Sequence, residues 1–289
     1  MRLLAAGDAM PLVDLGLSER NFEETRRLVA HPHGLILVVG PTGSGKTTTL
    51  HSLLGVINNE ERKIWTAEDP VEITQAGLRQ VQVNPRIGVD FARAMRAFLR
   101  ADPDVIMVGE MRDTETASIG VEASLTGHLV LSTLHTNSAP ETVTRLADMG
   151  LDCFILSDAL LGVLAQRLAR RLCPECKEAY EASAAERDQI LAAYGPRASE
   201  DGIDADPLTL WQAPGCDHCG DSGYRGRVGV HELLVTDAPL RRAIQTGKPV
   251  DELRALAEAG GMRTLIQDGV AKCLQGQTDL RQIQAVCTR

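Results

Sequence analysis

Residues 40–47 read GPTGSGKT, between the apolar run LILVV at 35–39 and the segment TTLHSLL. The stretch matches G-x-x-x-x-G-K-S/T at every position, and the apolar residues after Thr47 have helical spacing. A short strand, a glycine-rich turn and a helix are therefore predicted in that order. The glycines let successive backbone N–H groups point at phosphate oxygens, and the helix N-terminus adds positive potential. The stretch predicts a triphosphate site.

The residues of this loop are expected to hold a nucleoside triphosphate together with Mg²⁺. The predicted nucleotide-binding residues are Gly40, Pro41, Thr42, Gly43, Ser44, Gly45, Lys46, Thr47 and Thr48. Lys46 is expected to reach the β- and γ-phosphates, and the hydroxyl of Thr47 to be a ligand of Mg²⁺. The alternative is a glycine-rich turn without a ligand, which the strand-to-helix context disfavours. The loop alone does not say how the energy of the triphosphate is used.

The bulk composition is that of an ordinary globular protein. The chain has 289 residues, of which 44% are hydrophobic and 24% charged, and its formal net charge is −9. This acidic balance argues against a general nucleic-acid binder, which usually has a basic face. No apolar run approaches the ~18–20 residues of a membrane span, and the N-terminus has no signal-peptide pattern. We therefore predict a cytoplasmic protein without direct membrane insertion, whose membrane contacts go through partners.

Apolar runs that alternate with helical patterns predict an α/β core. Besides 35–39, the predicted strands are residues 63–67, 104–109 and 128–134. The predicted helices are residues 90–100, 114–125, 139–150 and 154–171. Strands that are apolar throughout indicate a sheet covered on both faces.

The later part of the chain has a different composition. Residues 177–207 predict a charged helix and then a loop, with little strand signal. Residues 215–234 are glycine-rich and then strand-like, and from Ala238 onward short amphipathic helices are predicted.

Phosphoryl transfer also needs an acidic group that holds Mg²⁺ or orients water. Glu110 follows the apolar strand DVIMVG and is one candidate, although such strands ordinarily end in Asp or Asp-Glu. The turn AEDPVE places Glu68, Asp69 and Glu72 after the strand KIWTA. Glu110 is also compatible with a surface carboxylate, and an acidic cluster of this kind is often a solvated turn.

The segment HLVLSTLHTN ends a predicted strand with three polar residues. His135, Thr136 and Asn137 are all able to sense a γ-phosphate from this position. A lone histidine at a strand end is more often structural, so the residues alone leave both interpretations open.

These motifs, in this order, resemble the ATPases of bacterial type II secretion and type IV pilus assembly, and the match extends over nearly the whole chain. The matching segments are GPTGSGKTTTL, AEDPVE, LRADPDVIMVGEMRD, TGHLVLSTLHTN, LLGVLAQRLARRLCPEC and GYRGRVGVHELL. The resemblance implies a RecA-like P-loop core that works as a homo-hexamer. It implies that Glu68 polarises the attacking water and that Glu110 acts with Mg²⁺. It further implies that His135 reads the nucleotide state, with His128 beside it in the same segment.

Four of the seven cysteines form two C-x-x-C pairs, Cys173 with Cys176 and Cys216 with Cys219. Each pair can supply two thiolates to one Zn²⁺, although the separation of the pairs exceeds that of compact zinc ribbons. A redox pair and unliganded core cysteines are the alternatives. The resemblance favours zinc, because assembly-type members of the family carry such a tetracysteine element. A closed structural site is expected, since four thiolates leave no open position.

The resemblance also implies a division into domains. The predicted parts are a linker with the remnant of an N-terminal domain (1–34), a RecA-like core (35–172), a zinc element with a return strand (173–234) and a C-terminal helical subdomain (235–289). The first residues, MRLL, resemble the last strand of the domain that contributes arginines to the nucleotide in this family. We therefore expect a truncated form or a short family member.

Arginines elsewhere in the chain remain as candidates for contacts with phosphate, within one chain or across subunits. They are Arg112, Arg145, Arg167, Arg170 and Arg171, and each is also compatible with an ordinary surface ion pair.

Three functions are compatible with these motifs. The leading hypothesis is an ATPase motor that drives pseudopilus or pilus assembly through platform proteins of the inner membrane. VHELL and LLGVLAQRL favour the secretion branch, whereas AEDPVE and RLARRLC fit the pilus branch equally well. A nucleotide-binding scaffold or regulator with little turnover is the first alternative. A DNA-translocating motor is the second, and the net charge of −9 and the aromatic content of 3% argue against it.

Overall fold

The structure is a computed structural model that describes residues 9–287, so the predicted strand remnant at residues 1–4 lies outside it. The helices are α1 (Glu19–Val29), α2 (Lys46–Ile57), α3 (Phe91–Leu99), α4 (Thr114–Leu125), α5 (Ala139–Asp148), α6 (Cys153–Ala159), α7 (Ala184–Tyr194), α8 (Ala238–Gln245), α9 (Val250–Ala259), α10 (Leu265–Leu274) and α11 (Leu280–Cys287). The strands are β1 (Gly34–Val39), β2 (Ile64–Glu68), β3 (Arg79–Gln82), β4 (Val105–Val108), β5 (Leu129–Leu134), β6 (Leu160–Leu172), β7 (Glu178–Glu181), β8 (Thr209–Gln212) and β9 (Tyr224–Val235). Within residues 9–287, no helix is both long enough and apolar enough to cross a bilayer.

Seven of these strands form one sheet in the order β3-β2-β4-β5-β1-β6-β9. From β3 to β6, each neighbouring pair of strands is parallel. Val39, the last residue of β1, pairs with Leu134 of β5 and with Ala165 of β6. The segments that follow β1, β2, β4 and β5 therefore emerge at one edge of the sheet, where open α/β sheets bind their ligands. The predicted α/β core is confirmed, with a strand at each of the four predicted positions.

Both faces of the sheet are covered, as the continuous apolar runs predict. β1 and β5 are buried at every position. Leu35 and Leu37 belong to one hydrophobic cluster with residues of α3, α4 and α5, whereas Ile36 and Val38 belong to another with residues of α2. Because alternate side chains of a strand point to opposite faces, these clusters lie on opposite sides of the sheet.

The prediction of one helix over residues 154–171 is wrong. Helix α6 is followed at once by β6, which pairs in parallel with β1. The segment has Leu, Ala, Gln and Arg at helical spacing, but pairing with β1 gives its backbone a ladder of hydrogen bonds, and tertiary context overrides propensity. Gly162 shows how tightly the strand is packed, since a Cβ there would lie 2.7 Å from the Leu28 side chain and 2.8 Å from Leu234 O.

The chain divides into two compact units. The first contains the residues up to Gln166 and Glu232–Met262, and the second contains Arg167–His231 and the residues from Arg263 onward. The division into four domains derived from the sequence remains a prediction.

The second unit contains strands that the sequence does not reveal. β7 and β8 form an antiparallel pair, and α7 lies between them in the chain. Residues 177–207 therefore contain the predicted helix but also β7, which the prediction missed. Three of the four residues of β7 are exposed, so the strand has no apolar alternation to mark it. Its existence depends on a partner strand almost thirty residues away, at Thr209–Gln212.

A buried ion pair joins two residues on successive turns of α10 in the second unit. Lys272 Nζ is 2.5 Å from Asp268 Oδ2 and donates a hydrogen bond to Gly229 O at 2.6 Å. The same carboxylate oxygen accepts a hydrogen bond from the backbone N–H of His231 at 2.7 Å. Burial raises the pKa of Asp268, against the opposing charge and hydrogen bond of Lys272. The pair is satisfied by its own neighbours, so removing one member leaves the other uncompensated.

Candidate nucleotide site and cysteine cluster

The phosphate loop connects the end of β1 to the start of α2. Gly43 and Gly45 have φ values of 81° and 90°, which side-chain-bearing residues rarely adopt. A Cβ built on Gly43 would meet nothing within 4 Å, so this part of the loop faces open space. Within residues 9–287 the backbone N–H of Gly45 has no hydrogen-bond acceptor. An open loop with an unsatisfied N–H at a helix N-terminus fits a bound phosphate.

Lys46 is the first residue of α2 and reaches back over the loop. Its Nζ donates hydrogen bonds to Gly40 O at 2.9 Å and to Pro41 O at 3.1 Å. Thr47 and Thr48, the next residues of the helix, are half-buried. The lysine ammonium is thus held over the backbone that a phosphate would contact, and exchanging these carbonyls for phosphate oxygens would replace neutral acceptors by charged ones.

The three predicted catalytic residues follow neighbouring strands at the same edge as the loop. Glu68 is the last residue of β2, Glu110 follows β4 after Gly109, and His135 follows β5 directly. In the sheet these strands stand in the order β2-β4-β5-β1, with the phosphate loop after β1. Adjacent strands are about 4.8 Å apart, so the segment after β4 lies about 10 Å from β1. The topology places Glu110 and His135 near the loop, and Glu68 at the same edge about 14 Å from β1.

Glu110 and His135 are in direct contact. The Glu110 carboxylate lies 3.1 Å from His135 Nε2 and accepts a hydrogen bond from Arg112 Nε at 2.5 Å. This hydrogen bond, partly opposed by burial, raises the pKa of Arg112. The side chain of Glu110 is 17% exposed, and those of His135 and Arg112 are 45% and 58% exposed. A carboxylate can accept several hydrogen bonds at once, so Glu110 retains acceptor sites that face solvent.

Glu68 is instead enclosed by protein. Its carboxylate accepts hydrogen bonds from Thr66 Oγ1 at 2.6 Å and Gln80 Nε2 at 2.9 Å, and lies 3.2 Å from His51 Nε2. Burial alone would raise the pKa of Glu68, but the hydrogen bonds of His51, Gln80 and Thr66 outweigh it and lower the pKa. The predicted action on water would require one of these partners to move.

His51 is the counterpart of Glu68 on α2. It is fully buried, and its second ring nitrogen lies 3.1 Å from Gln75 Oε1. Burial lowers the pKa of His51, but the hydrogen bonds with Glu68 and Gln75 and the charges of Glu68 and Glu72 raise it above the ordinary value. The same acidic turn also presents Asp69 and Glu72, which are exposed. Helix α2 and the end of β2 are thus joined by a buried polar contact.

His128 lies at the opposite end of β5 from His135, so the two are not neighbours in space. Its Nδ1 is 3.0 Å from Ala123 O, before β5 begins. The six residues of β5 separate it from His135 by about 20 Å at ~3.3 Å per residue. Of the other polar residues in this segment, Thr136 is buried with its hydroxyl 2.7 Å from that of Thr142, and the N–H of Asn137 donates to Glu141 Oε2.

The candidate arginines have different surroundings. Arg112 is paired with Glu110, Arg167 is buried, Arg170 lies over the ring of Tyr224, and Arg145 and Arg171 are exposed. Arg145, on α5, and Arg171 make no side-chain hydrogen bond or ion pair with any residue in the described range 9–287. These two are therefore the ones available to a partner.

Sequence reasoning missed two buried residues of the site, His51 and Gln166. His51 lies within a helix whose orientation the sequence does not give, and the contact with Glu68 depends on that orientation. Gln166 lies in β6 and hydrogen-bonds to the phosphate loop. A lone glutamine in the apolar run LLGVLAQ would mark an interior polar contact if the run were recognised as a strand.

The four predicted cysteines form one cluster in the second unit. The Sγ atoms of Cys173, Cys176, Cys216 and Cys219 all lie within 4.8 Å of one another. Sγ–Sγ distances are 3.9 Å for Cys173–Cys216, 4.0 Å for Cys176–Cys219 and 3.8 Å for Cys216–Cys219, and all four cysteines are free of disulfides. Four thiolates at about 2.3 Å from a tetrahedral Zn²⁺ lie about 3.8 Å apart. The donor set and its spacing fit zinc.

The backbone around the cluster also favours thiolates. Cys219 Sγ accepts hydrogen bonds from the N–H groups of Cys216 and Gly223, each at 3.2 Å. Desolvation raises the pKa of Cys219, but these hydrogen bonds outweigh it and lower the pKa to about 7. His218, inside the second pair, lies against Arg225 at 2.8 Å and is not part of the cluster.

A family model described as Type II/IV secretion system protein matches residues 1–285. The chain belongs to this family. It is 50% identical to the type II secretion system ATPase E of Vibrio cholerae over 289 residues, which is 99% of this chain and 55% of that protein. It is 46% identical to the type IV pilus assembly ATPase PilB of Thermus thermophilus over 286 residues, which is 99% of this chain and 31% of that protein. The chain thus spans about half the length of the first of these relatives and a third of the second.

Solved structures show the same fold. The pilus retraction motor PilT with bound ADP superimposes with a TM-score of 0.71 at 30% identity, covering 99% of this chain and 68% of that chain. The ATPase DotB of Legionella pneumophila superimposes with a TM-score of 0.68 at 24% identity, over 98% of this chain and 66% of that chain, which supports the fold alone. The resemblance to secretion and pilus ATPases is confirmed.

Proposed function

We propose that this chain is the Mg-ATP-hydrolysing motor part of an apparatus for type II secretion or type IV pilus assembly. The observation that carries the proposal is the convergence of the phosphate loop, Glu110 and His135 at one edge of the parallel sheet. The names of the two relatives, a type II secretion ATPase and a pilus assembly ATPase, support the same reaction and leave the choice of apparatus open.

The residues at this edge have two roles, which are to bind the nucleotide and to stabilise charge in the transition state. Lys46 leaves its two carbonyl partners and neutralises the β- and γ-phosphates, while the N–H groups of the loop hold phosphate oxygens. Thr47 would supply a hydroxyl ligand for Mg²⁺, and the bound ion would neutralise phosphate charge. Glu110 acts at the metal or its water, and His135, in contact with it, reports the γ-phosphate.

Steady-state ATP hydrolysis tests the proposal. Lys46→Ala should abolish nucleotide binding, because no other ammonium is held over the loop carbonyls in residues 9–287. Glu110→Gln should retain binding and lose at least about tenfold in turnover, since its charge is then absent from the transition state. Glu122→Gln, which removes an exposed carboxylate on α4, is the matched control and should hydrolyse ATP like the wild type. Hydrolysis that survives Lys46→Ala would contradict the assignment to this site.

A nucleotide-binding scaffold or regulator is the alternative function. It predicts Lys46-dependent nucleotide binding with no turnover above background in the wild type, so the same assay distinguishes it from the motor. A DNA-translocating motor predicts turnover that rises when single- or double-stranded DNA is added, and we expect no such rise.

We also propose that the cysteine cluster holds one structural Zn²⁺. Binding on the order of 10 kcal/mol would stabilise the fold of the second unit. Protein purified without added zinc should contain about one equivalent per chain. Cys216→Ser should lose the metal, and Cys153→Ser, a cysteine outside the cluster, should keep it. A metal-free wild type would contradict the proposal.

The proposed motor function leads to two further proposals, on assembly and on location. We propose a homo-hexamer that acts on the cytoplasmic side of the inner membrane and reaches the membrane through platform proteins of the apparatus. The exposed Arg145 is then a candidate for a contact across subunits. Sedimentation of the wild type with and without Mg-ATP measures the oligomeric state, and a monomer under both conditions would contradict the hexamer.

A further inference from the structure

Gln166 is a buried polar residue behind the phosphate loop that none of the nucleotide motifs includes. It follows Ala165, which pairs with Val39 at the end of β1, so it lies at the edge of the sheet from which the loop emerges. Only 2% of its surface is exposed. A buried amide needs partners for both its N–H and its oxygen, and the loop and the start of α2 provide them.

Gln166 contacts the loop at two points and the following helix α2 at a third. Its Nε2 donates a hydrogen bond to Ser44 O at 2.5 Å, and its Oε1 accepts one from Thr49 Oγ1 at 2.7 Å. Its main-chain oxygen packs against Gly40, where an added Cβ would lie only 2.5 Å away. One residue of β6 thus contacts the start of the loop at Gly40, the Ser44–Gly45 peptide, and the first turn of α2.

The contact with Ser44 fixes the direction of the next N–H group. In a planar trans peptide the C=O and the N–H point in opposite directions. Because the Ser44 carbonyl points at Gln166, the N–H of Gly45 points away from β6. This N–H has no acceptor within residues 9–287, as expected of a group reserved for a ligand.

We infer that Gln166 is a positioning residue of the triphosphate site, which holds the Ser44–Gly45 peptide so that the Gly45 N–H is aimed at a phosphate before nucleotide binds. The inference deepens the proposed function and rests on it, since it assumes that the loop binds nucleotide. Preorganised N–H donors gain affinity because they need no reorientation on binding. The peptide depends on this contact because Gly45 has a positive φ and a flexible backbone, which alone would not hold the N–H in one direction.

Three variants separate the contacts of Gln166. Gln166→Met keeps the volume and removes both side-chain hydrogen bonds. Gln166→Glu keeps the acceptor for Thr49 and replaces the donor to Ser44 O by a carboxylate. Thr49→Val removes only the hydroxyl that Gln166 accepts from. If the donor to Ser44 is what matters, both Gln166 variants weaken Mg-ATP binding at least tenfold, and Thr49→Val weakens it threefold or less.

The assay is titration of each variant with a fluorescent ATP analogue and Mg²⁺, followed by steady-state hydrolysis. The KM for ATP should rise with the dissociation constant while kcat changes less than threefold, because the contact is present in both ground and transition states. The control is Gln267→Met, which removes another buried glutamine whose Nε2 donates to Tyr194 O in the second unit. It should leave Mg-ATP affinity unchanged.

Each outcome decides a separate question. Wild-type affinity in Gln166→Met or Gln166→Glu would overturn the positioning role while leaving the proposed nucleotide site intact. If Gln166 only fills the core, Gln166→Met, which keeps the volume, should bind Mg-ATP normally and only Gln166→Glu should lose affinity. This result would also overturn the positioning role. If the wild type itself fails to bind the analogue, the proposed function fails. Should Gln166→Met not fold, a loss of Mg-ATP affinity in Thr49→Val equal to that in Gln166→Glu would overturn the assignment of the effect to the hydrogen bond that Gln166 donates to Ser44 O.

Discussion

The buried contact between His51 and Glu68 predicts how the stability of the first unit depends on pH. His51→Leu removes the 3.2 Å contact with the carboxylate and leaves Thr66 and Gln80 as its remaining donors. A buried hydrogen bond to a charged group contributes about 1.5–3 kcal/mol, so the variant should lose about 2–3 kcal/mol near pH 6. At about 2–4 °C per kcal/mol for a unit of this size, the melting temperature should fall by about 4–12 °C.

The sign of the pH dependence follows from the two pKa shifts. The pKa of His51 is raised above 6.5, so its contribution is fully present below pH 6.5 and is lost as the pH rises through the folded value. The pKa of Glu68 is lowered below 4.5, so its contribution is fully present above pH 4.5 and is lost as the pH falls through the folded value. The pair therefore stabilises the first unit most between pH 4.5 and 6.5, and the destabilisation by His51→Leu should shrink toward pH 9.

Trp65 makes the measurement specific to the first unit. It lies on β2, three residues before Glu68, whereas the other tryptophan, Trp211, lies in the second unit. Urea unfolding followed by fluorescence in a Trp211→Phe background therefore avoids treating the two units as one transition. His128→Gln, which changes a histidine at the far end of β5, is the control. A cost of His51→Leu that is equal at pH 5.5 and pH 8.5 would refute the argument.

Three further predictions concern other parts of the chain. Gly40→Ala should abolish Mg-ATP binding in a titration, because its Cβ would lie 2.5 Å from a backbone oxygen of β6 at a φ of 148°. Lys272→Met should cost about 3–5 kcal/mol in urea unfolding, because Asp268 is left as an uncompensated buried charge, yet leave nucleotide affinity unchanged. Glu68→Gln should lower the melting temperature by several degrees, whereas Glu72→Gln, at an exposed position, should not; turnover of both variants shows which carboxylate acts on water.

Local patterns made much of the first unit predictable. β1 and β4 are continuous apolar runs and β2 and β5 are mostly apolar, and all four are bounded by polar turns, so their positions follow from the sequence alone. Because they are parallel neighbours, the residues after them share one edge, and this brings Glu110 and His135 into contact. His128, which the resemblance implied in the same segment as His135, precedes its strand and so lies at the other edge.

Elements whose state depends on a distant partner were not predictable. β6 has helical spacing and becomes a strand because it pairs with β1, more than a hundred residues earlier. That error concealed Gln166, since a glutamine in a helix would face solvent whereas in this strand it faces the phosphate loop. The polar support of the site therefore depends on tertiary contacts that no local pattern encodes.

The two carboxylates predicted for catalysis differ in what must move before a metal or water reaches them. The partners of Glu110 are exposed side chains, and exchange of such a surface ion pair costs about 0–1 kcal/mol. Glu68 is 4% exposed, and freeing it means breaking buried hydrogen bonds worth about 1.5–3 kcal/mol each. We therefore propose that Glu110, whose partners are easily displaced, acts on the metal or its water. Glu68 instead mainly holds α2 against the acidic turn.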